Sequence, residues 1–130
     1  MQPREWRMRI EDMLEAAAHC REYVSSLDFP AFAADRKTVD AVVRNLEVIG
    51  EAARYIPPEI ELRYSVIPWA DIRGMRHRIA HGYFAIDLAV VWSTVTDSLD
   101  ALVPSLQQLL RQEGESRSDS ERERITEEDT

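Results

Sequence analysis

Apolar residues recur every three or four positions along most of residues 6–110, and nowhere do they alternate with polar ones for long. That spacing is the period of an α-helix with one buried face, and it leaves no stretch that reads as a half-buried strand. Trp6, Ile10, Met13, Leu14, Ala17 and Val24 make the first stripe. Val39, Val42, Val43, Leu46, Ile49 and Ala53 make a second, with Asp35 or Thr38 as its N-cap. The stretch SSLDFPAFAAD between them reads as a loop, and IPPE at 56–59 stops the second helix.

A short irregular or helical piece leads to IPW, and a third helix is expected from about Ala70 to His81, with Gly82 as its C-cap. Asp87 is placed to cap the last helix, whose stripe runs from Leu88 through Val91, Val95, Leu99 and Leu106 to Leu110. Pro104 lies inside that stripe and is expected to kink or restart it. The fold class is all-α: an antiparallel up-and-down bundle of four main helices plus minor ones.

The chain has 130 residues, and its 16 Lys+Arg against 24 Asp+Glu give a formal charge of −8. From Glu113 onward there are eight acids and three arginines, a net of −5, so residues 1–112 hold only −3. With Ile125 as its one large aliphatic residue, this stretch has little to bury. The expected division is therefore a helical domain over 1–112 and an acidic, disordered tail over 113–130. The charged start MQPREWRMRIEDML does not read as a signal peptide, and no apolar run approaches the roughly 20 residues of a membrane span. Cys20 is the single cysteine, so neither an intrachain disulfide nor a cysteine zinc site is expected. A soluble cytoplasmic protein without a cofactor follows as the expectation.

Against this acidic background, residues 73–84, RGMRHRIAHGYF, gather three arginines and two histidines. On an ideal helix, at about 100° per residue, Ile72, Met75 and Ile79 form the buried stripe. Arg73, His77, Arg78 and His81 spread over the opposite face. Arg76 falls at the edge of the stripe, where a guanidinium must find a carboxylate, a backbone carbonyl or water; Glu51 and Asp87 are the candidate carboxylates.

Three readings of this face stay open on the residues alone. It is a solvated cationic surface, a metal site on His77 and His81, or a phosphate site. The metal reading is opposed by the three arginines and by Arg78 standing where a metalloprotease pattern needs Glu. The phosphate reading uses Arg as a bidentate fork for phosphate oxygens and His as a proton carrier at neutral pH. Together such groups can cleave RNA without a metal. One activates the 2′-hydroxyl, one neutralises the phosphorane, and one protonates the leaving 5′-oxygen. Arg76 and His81 diverge by roughly 140° on a continuous helix, however. They can serve one phosphate only if the helix loosens near Gly82 or a second copy of the chain completes the site.

The segment MRHRIAHGYF, followed by Ile86–Asp87, resembles the motif of HepT-like toxins in the HEPN ribonuclease superfamily: Arg, four residues, His, one residue, Tyr. DFPAFAADRKTVDAVVRNLEVIGEAARYIP, IPWADIRGMR and the later VVW follow the same family's order, so the resemblance covers roughly residues 5–110. It implies a homodimeric bundle whose two motifs line a shared cleft and cleave RNA without metal. Arg76 and His81 would be the catalytic pair, and Arg73, His77 and Arg78 would hold RNA phosphates. The residue after the motif arginine is most often Asn in the family and is His77 here.

The resemblance also implies a type VII-like toxin–antitoxin pair. Its MNT-type nucleotidyltransferase antitoxin transfers AMP to the motif tyrosine, here Tyr83. A different class of function stays beside it: a catalytically silent helical module that binds such a partner or a nucleotide. Trp6, Trp69 and Trp92 read as core or dimer anchors, Cys20 as core packing, Glu51 as a structural pair with Arg76 or Arg54, and Arg44, on the same helix face, as structural too.

Overall fold

The computed structural model describes residues 5–81 and 85–128, with residues 80, 81, 85 and 115–128 described by their backbone only. The first two stripes become α1 (Trp6–Val24) and α3 (Arg36–Ala53), which pack on each other through Ile10, Met13, Ala17, Val42, Leu46 and Ile49. Two contacts fix their direction. The Cys20 thiol near the end of α1 reaches the Val42 carbonyl early in α3, at 3.7 Å. The Arg9 guanidinium near the start of α1 lies over the Tyr55 ring just past the end of α3, at 4.0 Å. The two helices are therefore antiparallel. Burial pushes the Cys20 thiol up to about 12, as expected of a sulfur that serves packing.

The connection between them is a helix rather than a loop. Asp28 caps α2 (Phe29–Ala34) by accepting from the Ala31 amide, and Pro30 sits in its first turn, where a missing N–H costs nothing. This turn drives Phe32 fully into the core, 5.2 Å from the half-buried Trp92 ring. Asp35 then caps α3, accepting from both the amide and the hydroxyl of Thr38, and these hydrogen bonds hold its carboxyl below the usual range.

After α3 come α4 (Pro58–Arg63), α5 (Trp69–Arg73) and α6 (Met75–Ile79). Trp69 is buried and donates its indole N–H to the Tyr64 carbonyl. A two-residue antiparallel ladder follows, β1 (Ala80–His81) on β2 (Ala85–Ile86), a small exception to the expectation of no sheet.

Asp87 caps α7 (Leu88–Ser93) through the Val90 amide, as expected. The column then passes through a π-helical turn at Thr94–Ser98 into α8 (Leu99–Glu128). The hydroxyls of Ser93 and Thr94 both donate to the Val90 carbonyl, and that of Thr96 to the Trp92 carbonyl, competing with the backbone amides. The irregularity lies here and not at Pro104, around which α8 is unbroken. Both Pro104 and Asp100, whose carbonyl loses its helical donor, are exposed and open to hydration.

Arg21 of α1 pairs with Asp100 at the start of α8, while Glu113, further along α8, accepts from Arg63 and Tyr64 at the end of α4. Glu113 opens the acidic stretch, yet it is 7% exposed and packed into the fold. The helical backbone of α8 continues through residue 128. Among the described residues, no helix is long and apolar enough to cross a membrane.

Candidate active site

The third apolar stripe folds as two short helices, not one. Gly74 separates α5 from α6, although its amide still bonds the Ala70 carbonyl and its own carbonyl accepts from His77. Ile72, Met75 and Ile79 are buried, as the stripe requires. α6 then ends at Ile79, two residues short of His81. The chain turns back on itself: Ala80 faces Ile86, His81 faces Ala85, and the Asp87 amide closes the excursion on the Ile79 carbonyl at 2.7 Å. The roughly 140° divergence between Arg76 and His81 belongs to a continuous helix. It does not apply to an extended backbone at 80–81. His81 is placed by its backbone, and Tyr83 lies outside the described residues.

Arg76 is exposed and forms no ion pair among the described residues. Of the ways open to it, hydration is the one available, because the edge of the stripe opens onto solvent. Of the two partners open to Glu51, Arg76 and Arg54, it takes the second, at 3.5 Å. Arg73 pairs with Glu61 of α4. His77 and Arg78 are exposed, and Arg78 donates to the Asp71 carbonyl at 3.3 Å. The fold groups Arg73 with Arg76, three residues along, on the wall of a groove.

That groove, of about 400 Å³, runs between α1, α3 and the α5–α6 segment. Its floor depends on a close approach: a Cβ on the buried Gly50 would meet the Ile72 carbonyl oxygen at 3.2 Å, so a larger residue there would need α5 to give by a few tenths of an ångström. Arg9 and Asp12 enter it from α1, and Arg44, Glu47 and Glu51 from α3. Arg54, at the end of α3, joins Arg73 and Arg76 to make five arginines against three carboxylates. Arg44, read from the sequence as structural, lies 4.0 Å from Glu47 with its side chain 76% exposed.

The sequence reading missed Arg9 and Arg54 because each is an ordinary charge on the polar face of its own helix. Only the antiparallel packing of α1 on α3 brings them together. The spacing from Arg44 to Glu51 and Arg54, seven and ten residues on one helix face, was the one signal that could have shown half of the wall. Among the described residues no three of His, Cys, Asp and Glu converge as a metal set would.

Known proteins resemble this chain over most of its length. Residues 13–110 match the family model described as ribonuclease HepT-like. A protein of Thermococcus cleftensis named "Probable ribonuclease HepT" is 36% identical over 100 residues, 77% of this chain and 91% of that protein. A relative from Caldanaerobacter subterraneus subsp. tengcongensis is 32% identical over 104 residues, 80% of this chain and 93% of its own length. One from Methanocaldococcus jannaschii is 29% identical over 116 residues, 88% of this chain and 96% of its own. Both are named only provisionally as RNases. No solved structure matches this chain. With three quarters of its length matched and the whole Arg76–Tyr83 motif inside the match, the chain belongs to the HepT-like ribonuclease family.

Proposed function

We propose that the protein is a metal-independent endoribonuclease, the toxin of a toxin–antitoxin pair, acting as a homodimer. The family match over residues 13–110, which contains the full motif, is the observation that carries this reading. In it, His81 moves protons between the 2′-hydroxyl and the leaving 5′-oxygen, and Arg76 neutralises charge growing on the phosphorus. Attack by the 2′-oxygen leaves a 2′,3′-cyclic phosphate and a free 5′-hydroxyl, so the substrate is RNA and not DNA. Two features support the assignment. Arg76 is exposed and without an ion-pair partner among the described residues, so its fork is available to phosphate. The end of α6 at Ile79 also removes the helical constraint that would hold Arg76 and His81 apart. His77 and Arg78, both exposed, add positive charge or hydrogen bonds for flanking phosphates.

Neutralisation in this reading is covalent. The Tyr83 hydroxyl attacks the α-phosphorus of ATP on an MNT-type nucleotidyltransferase antitoxin, releasing pyrophosphate and leaving AMP beside the catalytic pair. The added phosphate charge and adenine then compete with RNA for the same groups.

The test is incubation of unmodified protein with total RNA in excess EDTA, beside Arg76→Ala and His81→Ala variants. The expected result is cleavage by the natural protein and its loss, by a hundredfold or more, in both variants. Intact RNA in every lane would refute the ribonuclease reading and leave a binding module. Recovery of AMP on Tyr83 after incubation with the antitoxin and ATP tests the second step separately.

A further inference from the structure

The arginine groove extends well beyond the motif, and three of its arginines are not accounted for by catalysis. Arg44 and Arg54 are exposed and held only loosely, at 4.0 Å from Glu47 and 3.5 Å from Glu51, distances beyond a good charge-assisted hydrogen bond. Arg9 is half-buried, and its Nε is buried with no hydrogen-bond partner among the described residues. Its guanidinium carbon lies over the Tyr55 ring, 4.0 Å from the centroid, while Tyr55 itself stays 51% exposed. An exposed aromatic ring backed by a guanidinium, next to a row of arginines, is the composition of a surface that stacks a base and tracks its phosphates. The groove volume of about 400 Å³ suits a nucleotide-sized unit, within the roughly 300–1,000 Å³ of small-ligand sites, and not a duplex.

We propose that this groove is a single-stranded RNA-binding subsite that guides the strand past Arg76 toward the motif. Arg44 and Arg54 hold backbone phosphates, and Tyr55, braced by Arg9, stacks a base. The proposal rests on the RNA reading given above and adds residues from α1 and α3 to it. Arg76 and Arg73 line the groove as well as belonging to the motif segment, so the subsite and the motif are continuous.

The test uses the full chain and a labelled oligouridylate of about ten nucleotides carrying 2′-O-methyl groups, which cannot be cut through the 2′-oxygen. Anisotropy titrations at several salt concentrations compare the natural protein with Arg44→Ala, Arg54→Ala, the double variant, Arg44→Lys and Tyr55→Leu. Each arginine removed is expected to flatten the slope of log affinity against log salt by about 0.7, the single-strand value per phosphate contact. The double variant should bind roughly tenfold or more weakly at low salt. Arg44→Lys should keep the slope, since the charge remains. Tyr55→Leu should weaken binding without changing the slope.

Thermal melts of each variant check that the fold persists, and sedimentation checks the oligomeric state. Unchanged affinity and slope in the double variant would overturn the subsite. So would loss of binding that coincides with conversion of a dimer to a monomer, which would make the groove an interface between copies of this chain. Cleavage in EDTA is scored independently. Groove-dependent binding without cleavage refutes only the ribonuclease reading, and cleavage with groove-independent binding refutes only the subsite.

Discussion

Glu113 offers the sharpest test of how this bundle is held together, because it lies beyond the 13–110 span shared with the family. Its carboxylate, 7% exposed, takes two hydrogen bonds on the same oxygen, from Arg63 at 2.7 Å and from the Tyr64 hydroxyl at 2.8 Å. Burial alone would push the Glu113 carboxyl up, but the bonds from Arg63 and Tyr64 together outweigh it and the net shift is downward. The same contact, added to burial, pushes the Tyr64 hydroxyl up to about 12.

Consider Glu113→Gln, which keeps the shape and one acceptor oxygen but removes the charge. A hydrogen bond to a charged group contributes about 1.5–3 kcal/mol and a neutral one about 0.5–1.5 kcal/mol, so the Tyr64 bond alone should weaken by about 1 kcal/mol. The Arg63 side chain is 55% exposed and solvent screens its share, which is left out of that figure. In a domain of this size a loss of about 1 kcal/mol lowers Tm by roughly 3–5 °C.

Urea unfolding at pH 7 should show a lower midpoint with an unchanged m-value. The pH dependence has a definite sign. A carboxyl whose folded pKa is depressed contributes stability above its unfolded value of about 4.3 and loses it as pH falls through the folded value. The gap between natural protein and variant should therefore close in acid. A gap that is absent at pH 7, or that widens as pH falls below about 4, would refute the clamp.

Two further outcomes follow from particular contacts. Glu61 of α4 pairs with Arg73 and offsets its charge at the groove wall, so Glu61→Gln should free that charge. RNA affinity at low salt should rise by roughly two- to threefold with a steeper salt dependence; a fall in affinity would show that the pair positions Arg73 for binding. Cys20, buried with its thiol pushed up to about 12, has a thiolate fraction of roughly one in ten thousand at pH 8. Iodoacetamide should leave it unmodified in the folded protein and alkylate it fully in urea, as mass spectrometry would read; rapid labelling without denaturant would show that α1 opens from α3.

Much of the fold was legible because its signals are local. The stripes of α1 and α3, the stop at IPPE and the caps Asp35 and Asp87 each depend on residues within one or two turns of each other. Helix α2 carried the same kind of signal, Asp28 followed by Pro30, but its six residues are too few for a periodic stripe. The π turn at 94–98 was not legible, since the Ser93, Thr94 and Thr96 hydroxyls donate to carbonyls three or four residues back, a competition that the apolar stripe does not register. The end of α6 at Ile79 was foreseen only as a condition on the chemistry, not as a boundary. No proline or cap marks it, and the pairing of Ala80–His81 with Ala85–Ile86 sets it. The groove is the least legible feature, because it joins residues 9, 44, 54, 73 and 76 from separate elements.

That dispersal also explains how a chain of net charge −8 can serve an anionic substrate. Affinity for a polyanion depends on the potential along its path, within a Debye length of about 8 Å at physiological salt, and not on the charge of the whole chain. Five of the 16 basic residues line one groove, while eight of the 24 acids stand at or beyond Glu113. Of those eight, Glu113 is spent on Arg63 and Tyr64, away from the groove wall. The remaining carboxylates in the groove, Asp12, Glu47 and Glu51, lie among the arginines and lower their field without cancelling it. A groove of this kind should bind nucleic acid weakly enough to release product and in a manner strongly damped by salt. It follows that the binding slope, more than the dissociation constant at any one salt concentration, reads whether RNA runs through it.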